Sequence, residues 1–278
     1  MERRPTSILV TILCGMAVVW ATCSPHSLAQ HATLEGAAPA AITSEILGRA
    51  APDSQVFERD GVLAAVVPAA PERAVVNGVT YEDAGRLERV LPELAAAYEA
   101  AGVRAWTVWA PHDDVEAAGA LARAGHVLDA EPEAMAMELS SLEAPRPTDL
   151  DLDPEAGPAT VARINDLAYT YGGDHFERSL RTAPSLHCYV ARIDGRPVCC
   201  ATGHDHDGDH SVTLVATLPE ARGQGLARRL LTHALHDARE RGCTTTSLQA
   251  TKLGRSVYAR LGYRDLGAVQ MWERRAAA

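Results

Sequence analysis

Val215-Ala216-Thr217-Leu218-Pro219-Glu220-Ala221-Arg222-Gly223-Gln224-Gly225-Leu226-Ala227 is the stretch that decides the fold of this chain. An apolar run enters a short loop, and a helix then opens on two glycines and an alanine. That helix is amphipathic. Leu226, Leu230, Leu231, Ala234, Leu235 and Ala238 share one face, while Arg228, Arg229, Thr232, His236 and Glu240 share the other. It packs on a sheet and holds the loop ahead of it rigidly. The first turn of a helix carries unpaired N–H donors and the positive end of the macrodipole. An anion placed there satisfies both. Side chains larger than Gly or Ala would keep a pyrophosphate from those amides, and Arg222 adds a cation with forked donors. The plain alternative is a tight strand-to-helix turn in which the glycines serve packing alone. The loop lacks the Gly-Lys-Ser/Thr of a Walker site and the dinucleotide GxGxxG spacing.

Outward from this loop, strands and helices alternate, the pattern of an α/β protein with a mixed α+β sheet. Downstream of residue 154 we expect helices at 159–169 and 174–181 and a hairpin of 187–193 with 197–202 about Asp194-Gly195. A strand at 211–218, a helix at 223–241, a strand at 245–250, a helix at 254–261 and a last strand around 269–273 follow. Upstream, a strand pair spans 57–67 about Asp60-Gly61, with a strand at 73–81 and a helix at 83–101 that Pro92 should kink or split. A strand at 104–110, a helix at 113–124 and a strand at 135–139 complete this half. Residues 140–154 hold three prolines and a cluster of aspartates and read as a linker. The halves echo one another: Ala122-Arg123-Ala124-Gly125-His126 matches Ala259-Arg260-Leu261-Gly262-Tyr263. A period of about 140 residues points to a tandem duplication and not to a solenoid.

Arg222-Gly223-Gln224-Gly225-Leu226-Ala227, a strand, and then Tyr258-Ala259-Arg260-Leu261-Gly262-Tyr263 together resemble the GCN5-related N-acetyltransferase (GNAT) family. The resemblance runs over 150–276. It implies a splayed mixed sheet with acetyl-CoA as co-substrate. Pantetheine would lie along the backbone of Val215, Ala216 and Thr217, where a strand N–H would polarise the thioester carbonyl. The pyrophosphate would rest on amides of Gly223, Gly225 and Ala227, with Arg222, Gln224, Leu226 and Arg228 lining the same turn. By the same resemblance Tyr258 is the general acid. An amine attacking a thioester expels a thiolate that needs a proton, and a phenol with a pKa near 10 still holds one at neutral pH. Two positions depart from the family pattern: Thr251 stands where asparagine is frequent, and Ala227 where glycine is. The general base stays open among Asp209, His210, Glu220, Asp174 and water.

The reading implied is an N-acetyltransferase that moves an acetyl or short acyl group from acetyl-CoA to a primary amine, by direct attack in a ternary complex. A non-catalytic acyl-CoA-binding regulatory protein is the alternative, and an exported binding protein a third. Residues 50–142 would be a degenerate N-acetyltransferase-like copy. At the place of the phosphate loop it has Tyr81-Glu82-Asp83-Ala84-Gly85, whose carboxylates repel a pyrophosphate, and no tyrosine near Ala117 to Leu121 matches Tyr258. Its expected role is to wall the acceptor site. Trp106 and Trp109, at odd spacing on one strand, are expected in the core.

The length of 278 residues allows one or two domains. A net charge of −10 argues against nucleic acid or an anionic membrane surface as partner. The acceptor is expected to be a small-molecule or protein amine. His204-Asp205-His206-Asp207-Gly208-Asp209-His210 offers metal-ligating side chains, but Asp207-Gly208 marks a solvated hairpin turn, and no metal is expected. Cys188, Cys199, Cys200 and Cys243 form no CxxC pair and read as reduced core residues. Residues 1–40 read as a leader-like or mis-assigned N-terminal segment and are not expected to contribute to the fold. Arg3-Arg4, an apolar run and Ser27-Leu28-Ala29 have the layout of a secretory leader, against a downstream half that uses a cytosolic metabolite. We expect a cytoplasmic protein, with export as the alternative if 1–29 acts as a signal peptide.

Overall fold

The computed structural model of the chain describes residues 53–169, 177 and 186–276. The leader-like segment, Asp174 and all but residue 177 of the helix expected at 174–181 lie outside the described residues.

The upstream half runs β1 (Gln55–Arg59), β2 (Val62–Val66), β3 (Gly78–Tyr81), α1 (Ala84–Ala100), β4 (Ala105–Pro111), α2 (Val115–Arg123), β5 (Val127–Ala130) and β6 (Glu133–Glu138). Asp60 and Gly61 join β1 to β2, both at positive φ (46° and 74°), the backbone that a two-residue hairpin turn demands. The strand expected at 73–81 is confined to its last four residues. The chain before it folds into turns around the buried Asn77, whose side chain accepts from the Val67 N–H at 2.8 Å and donates to the Ala70 carbonyl at 3.0 Å. Pro92 does not split α1. It lies on the exposed side, where water can serve the carbonyl that a proline leaves without its N–H partner. β5 is an addition to the expected elements. All four of its residues are exposed, so no buried-strand pattern marks it.

The downstream half runs α3 (Pro158–Ala168), β7 (His187–Ile193), β8 (Arg196–His206), β9 (Asp209–Thr217), α4 (Leu226–Glu240), β10 (Thr245–Ala250), α5 (Arg255–Ala259) and β11 (Arg264–Arg275). The segment expected as a linker is strapped along α4: Arg146 pairs with Asp237 at 2.5 Å and Glu240 at 2.8 Å, and Asp149 with Arg229 at 2.5 Å. Leu152 then bridges to Ala191 on β7. Its prolines break helix and strand, yet its charges and leucines bind it down.

One sheet runs through both halves in the order β1-β2-β3-β4-β11-β6-β10-β9-β8-β7, with β5 beside β11. Each half holds one parallel pair joined by a helical crossover, β3–α1–β4 and β9–α4–β10. The halves also exchange strands. β6 pairs antiparallel with β10, and β11 reaches back to pair with β4 over Val269–Pro111 to Arg275–Ala105. Side chains follow the backbone: Met135 and Met137 of β6 lie in the core of the downstream half, and Trp272 of β11 packs on that of the upstream half. Trp106 and Trp109 are both buried, as expected; they point into separate apolar clusters.

Candidate active site at the splay of the sheet

The site begins with a register slip. β8 and β9 pair Thr202 with Thr213 and then Cys200 with Ala216. Ala201 therefore opposes both Leu214 and Val215, which is a β-bulge. Leu214 carries its extra length at φ 51°, a strained conformation for a leucine. The bulge coincides with the end of another pairing. β9 and β10 are hydrogen-bonded from Asp209–Thr245 to Val212–Leu248 and no further. Past that point β9 keeps β8 and parts from β10, so Leu214 to Thr217 turn one backbone edge into a gap. At this edge the Tyr169 hydroxyl donates to the Val215 carbonyl at 3.3 Å.

The gap leads to the glycine loop. A short 3-10 turn, Pro219–Ala221, links β9 to it. Gly223 and Gly225 have φ of 78° and 73°, and a Cβ added at either would meet nothing within 4 Å. Internal packing therefore does not call for these glycines. Backbone handedness does, and the space above them is open. No backbone hydrogen bond from the N–H of Gly223, Gln224, Gly225, Leu226, Ala227 or Arg228 is found among the described residues. Gly225 caps α4 without any side-chain acceptor. Successive undirected N–H groups at the positive end of a helix form a concave anion site.

Arg222 stands at the base of the loop. Its guanidinium donates to the Thr217 carbonyl at 3.1 Å and the Ala168 carbonyl at 2.8 Å, and its own N–H is taken by Pro219 at 3.3 Å. It ties the end of α3 to the end of β9 and so braces the loop. Arg228 is exposed on the first turn of α4.

Tyr258 stands on α5, just beyond the splayed end of β10. It is 7% exposed, its ring meets Tyr263 edge-on at 5.9 Å, and a Cβ on Gly254 would come within 3.1 Å of the ring. Burial pushes its phenol far above the usual value, and the neighbouring Tyr169 and Cys199 add to the rise. The group thus holds a proton throughout the physiological range. Thr251 caps the turn before α5, its hydroxyl accepting from the Gly254 N–H at 3.2 Å.

The base candidates among the described residues are engaged. Asp209 accepts from the hydroxyls of Thr245 at 2.8 Å and Ser247 at 2.6 Å. Glu220 pairs with Arg196 at 2.9 Å. The segment from His204 is a solvated turn only at Asp207-Gly208. His210 is buried and bonds Asp205 at 2.6 Å, and Asp205 also binds Arg241 at 2.5 Å. Among the described residues, no three His, Cys, Asp or Glu side chains converge where a metal ion could sit. The four described cysteines are free thiols. No helix of the described residues is long and apolar enough to cross a membrane.

The sequence alone does not single out Leu214, Tyr169 or the buried Asp166 of α3. A splayed parallel pair, a bulge at the splay and an open N–H cradle at the next helix thus lie in succession along the chain. Residues 153–263 match the acetyltransferase (GNAT) family. That span includes the bulge, the cradle and Tyr258. No curated protein matches the chain. Among solved structures, a GCN5-related N-acetyltransferase from Kribbella flavida superposes with TM-score 0.63 at 19% identity, covering 86% of this chain and 96% of that one. A GCN5-related N-acetyltransferase from Sphaerobacter thermophilus gives 0.53 at 17%, over 82% and 80%. A tandem GNAT protein from the clavulanic acid biosynthesis pathway gives 0.56 at 16%, over 99% and 97%. At these identities the likeness is one of fold. The fold is that of the GNAT acyltransferases.

Proposed function

We propose that the chain is an acyl-CoA-dependent N-acetyltransferase that moves an acetyl or short acyl group from acetyl-CoA to a primary amine by direct attack in a ternary complex. The observation that carries this reading is the cradle of six uncommitted N–H groups, Gly223 to Arg228, beside the open edge of β9. A pyrophosphate fits the first and an extended pantetheine amide chain fits the second. Gly223, Gly225 and Ala227 would hold the phosphates, with Gln224, Leu226 and Arg228 around them. Val215, Ala216 and Thr217 would bind pantetheine, and the strand backbone at the bulge would face the thioester oxygen.

In the reaction the acceptor ammonium first gives a proton to solvent. Its neutral nitrogen attacks the thioester carbonyl carbon, the C–N bond forms, and the C–S bond breaks as the carbonyl returns. The nitrogen sheds its second proton to water, and Tyr258 gives its phenolic proton to the departing thiolate. The phenolate is then reprotonated from solvent. A thiolate is a good leaving group, so direct attack needs no covalent enzyme intermediate. We read the upstream half as a degenerate copy of the same unit, matching the echo of Gly125-His126 with Gly262-Tyr263, and the protein as cytoplasmic, where its co-substrate is made.

The test is transfer itself. The full chain with acetyl-CoA and a panel of primary amines should release free CoA thiol only when an amine is present, with intersecting initial-rate lines. Tyr258→Phe should lower kcat about 100-fold or more while leaving the acetyl-CoA Kd unchanged. Bound acetyl-CoA with no thiol released for any amine would point to a regulatory binding protein instead.

A further inference from the structure

Lys252 is the chain's single lysine, among 26 lysines and arginines. It stands exposed in the turn between β10 and α5, beside Leu253, which is 92% exposed. β10 stays paired with β6 as far as Ala250 and Glu133, so its end is held after β9 has parted from it. Were the β9–β10 register continued past Val212–Leu248, Thr251 would face Val215 and Lys252 would face Ala216. The splay opens a gap there instead, and Lys252 stands on the lip opposite the free edge of β9. The turn itself is fixed. The Gly254 and Arg255 N–H groups both donate to the Thr251 carbonyl, at 2.9 and 3.0 Å. Of the turn's two cations, Arg255 is held by Asp265, and no described carboxylate pairs with Lys252.

We infer that Lys252 is a self-acylation site, whose amine takes the acyl group from the co-substrate bound in the same chain. The inference rests on the transferase reading above. A guanidinium stays charged and does not attack a thioester, whereas a lysine amine on its flexible four-carbon stem can. None of the chain's arginines therefore competes with Lys252. Fixing a nucleophile at the rim of the donor site also replaces a bimolecular encounter with an intramolecular one. In the step, the ε-ammonium gives a proton to water and the neutral Nζ attacks the thioester carbonyl carbon. The C–N bond forms and the C–S bond breaks. The nitrogen sheds its extra proton to water, and the thiolate takes the phenolic proton of Tyr258, which solvent then replaces. The amide formed is neutral, so a positive charge is lost from the mouth that an anionic co-substrate enters. Lys252 is itself the amine consumed, so this release of thiol stops at one per chain. An added amine supports continuous release.

The full chain is incubated with acetyl-CoA in an amine-free buffer and read by intact mass and peptide mapping. Calorimetry checks acetyl-CoA binding, and Tm is measured on each variant. Wild type should gain one acetyl group, mapped to Lys252, at a rate unchanged by about 10-fold dilution of the protein. Lys252→Arg should gain none. Tyr258→Phe should slow the gain about 100-fold, and Gly225→Glu should abolish it over the same time. Wild type that binds acetyl-CoA and acylates an added amine, yet leaves Lys252 unmodified, would overturn the inference and leave the transferase reading standing. An undiminished rate in either site variant would mark chemical attack from solution and overturn it too, as would a rate proportional to protein concentration. Failure of wild type to bind acetyl-CoA at all would overturn the transferase reading, and this inference with it.

Discussion

The chain builds the same crossover twice and finishes its two helix ends in opposite ways. At the start of α1, Asp83 is extended and its carboxylate accepts the Arg86 N–H at 2.9 Å. Glu82 pairs with Arg86 at 3.0 Å, and its own N–H goes to the Gly61 carbonyl at 3.0 Å. That end supplies its own anion. At the start of α4 the cap is Gly225 in the left-handed region, with no side-chain cap, and among the described residues no backbone acceptor takes the six N–H groups from Gly223 to Arg228. The comparison teaches that a helix N-terminus becomes a ligand site when the chain declines to cap it. A second pair of positions differs likewise. Tyr263, after Gly262, is buried with its hydroxyl on Thr246 Oγ1 at 2.8 Å. His126, after Gly125, is buried edge-on to Trp106 with Nδ1 3.3 Å from the Leu121 carbonyl, and its Nε2 has no partner.

That contrast between the two aromatic positions can be sharpened by acid. Burial pushes the His126 imidazole down to about 4; the bond to Leu121 opposes the shift and Arg274 adds to it. The folded chain therefore prefers neutral His126. Its contribution is full above the unfolded pKa near 6.5 and is lost as pH falls from there through about 4. Urea unfolding should show a loss of about 3 kcal/mol across that window that is absent from His126→Phe. An equal loss in the variant would place the acid sensitivity elsewhere. A smaller effect tests the capped turn. Asp83→Ala should destabilise the chain by about 1 kcal/mol and leave acetyl-CoA affinity unchanged, as Tm and calorimetry would show. A change in affinity would mean that the upstream turn touches the ligand after all.

Much of this was legible from local chemistry. Asp-Gly pairs at 60–61, 194–195 and 207–208 announced their hairpins because only a few residues tolerate the required φ. The buried face of α4 was legible for another reason, since its leucines recur at helical spacing. What stayed hidden depends on distant partners. The bulge at Leu214 exists only because β8 and β9 fall out of register, and nothing in Thr213-Leu214-Val215 signals it. β6 presents four consecutive buried residues, Ala134 to Met137, and β11 is broken by register shifts, so neither pattern names its partners. The bond from Arg222 to the Ala168 carbonyl likewise depends on a partner 54 residues away.

The central claim is that the open helix end, and not the capped one, holds the co-substrate. Calorimetry of acetyl-CoA binding to the full chain, to Gly225→Glu and to Glu82→Gln tests it directly, with Tm measured on each. A glutamate at residue 225 brings a carboxylate to the cradle at a left-handed position, which costs about 1–3 kcal/mol in strain. We expect wild type and Glu82→Gln to bind alike, and Gly225→Glu to stay folded and lose at least about 100-fold in affinity. Undiminished binding by folded Gly225→Glu would contradict the account.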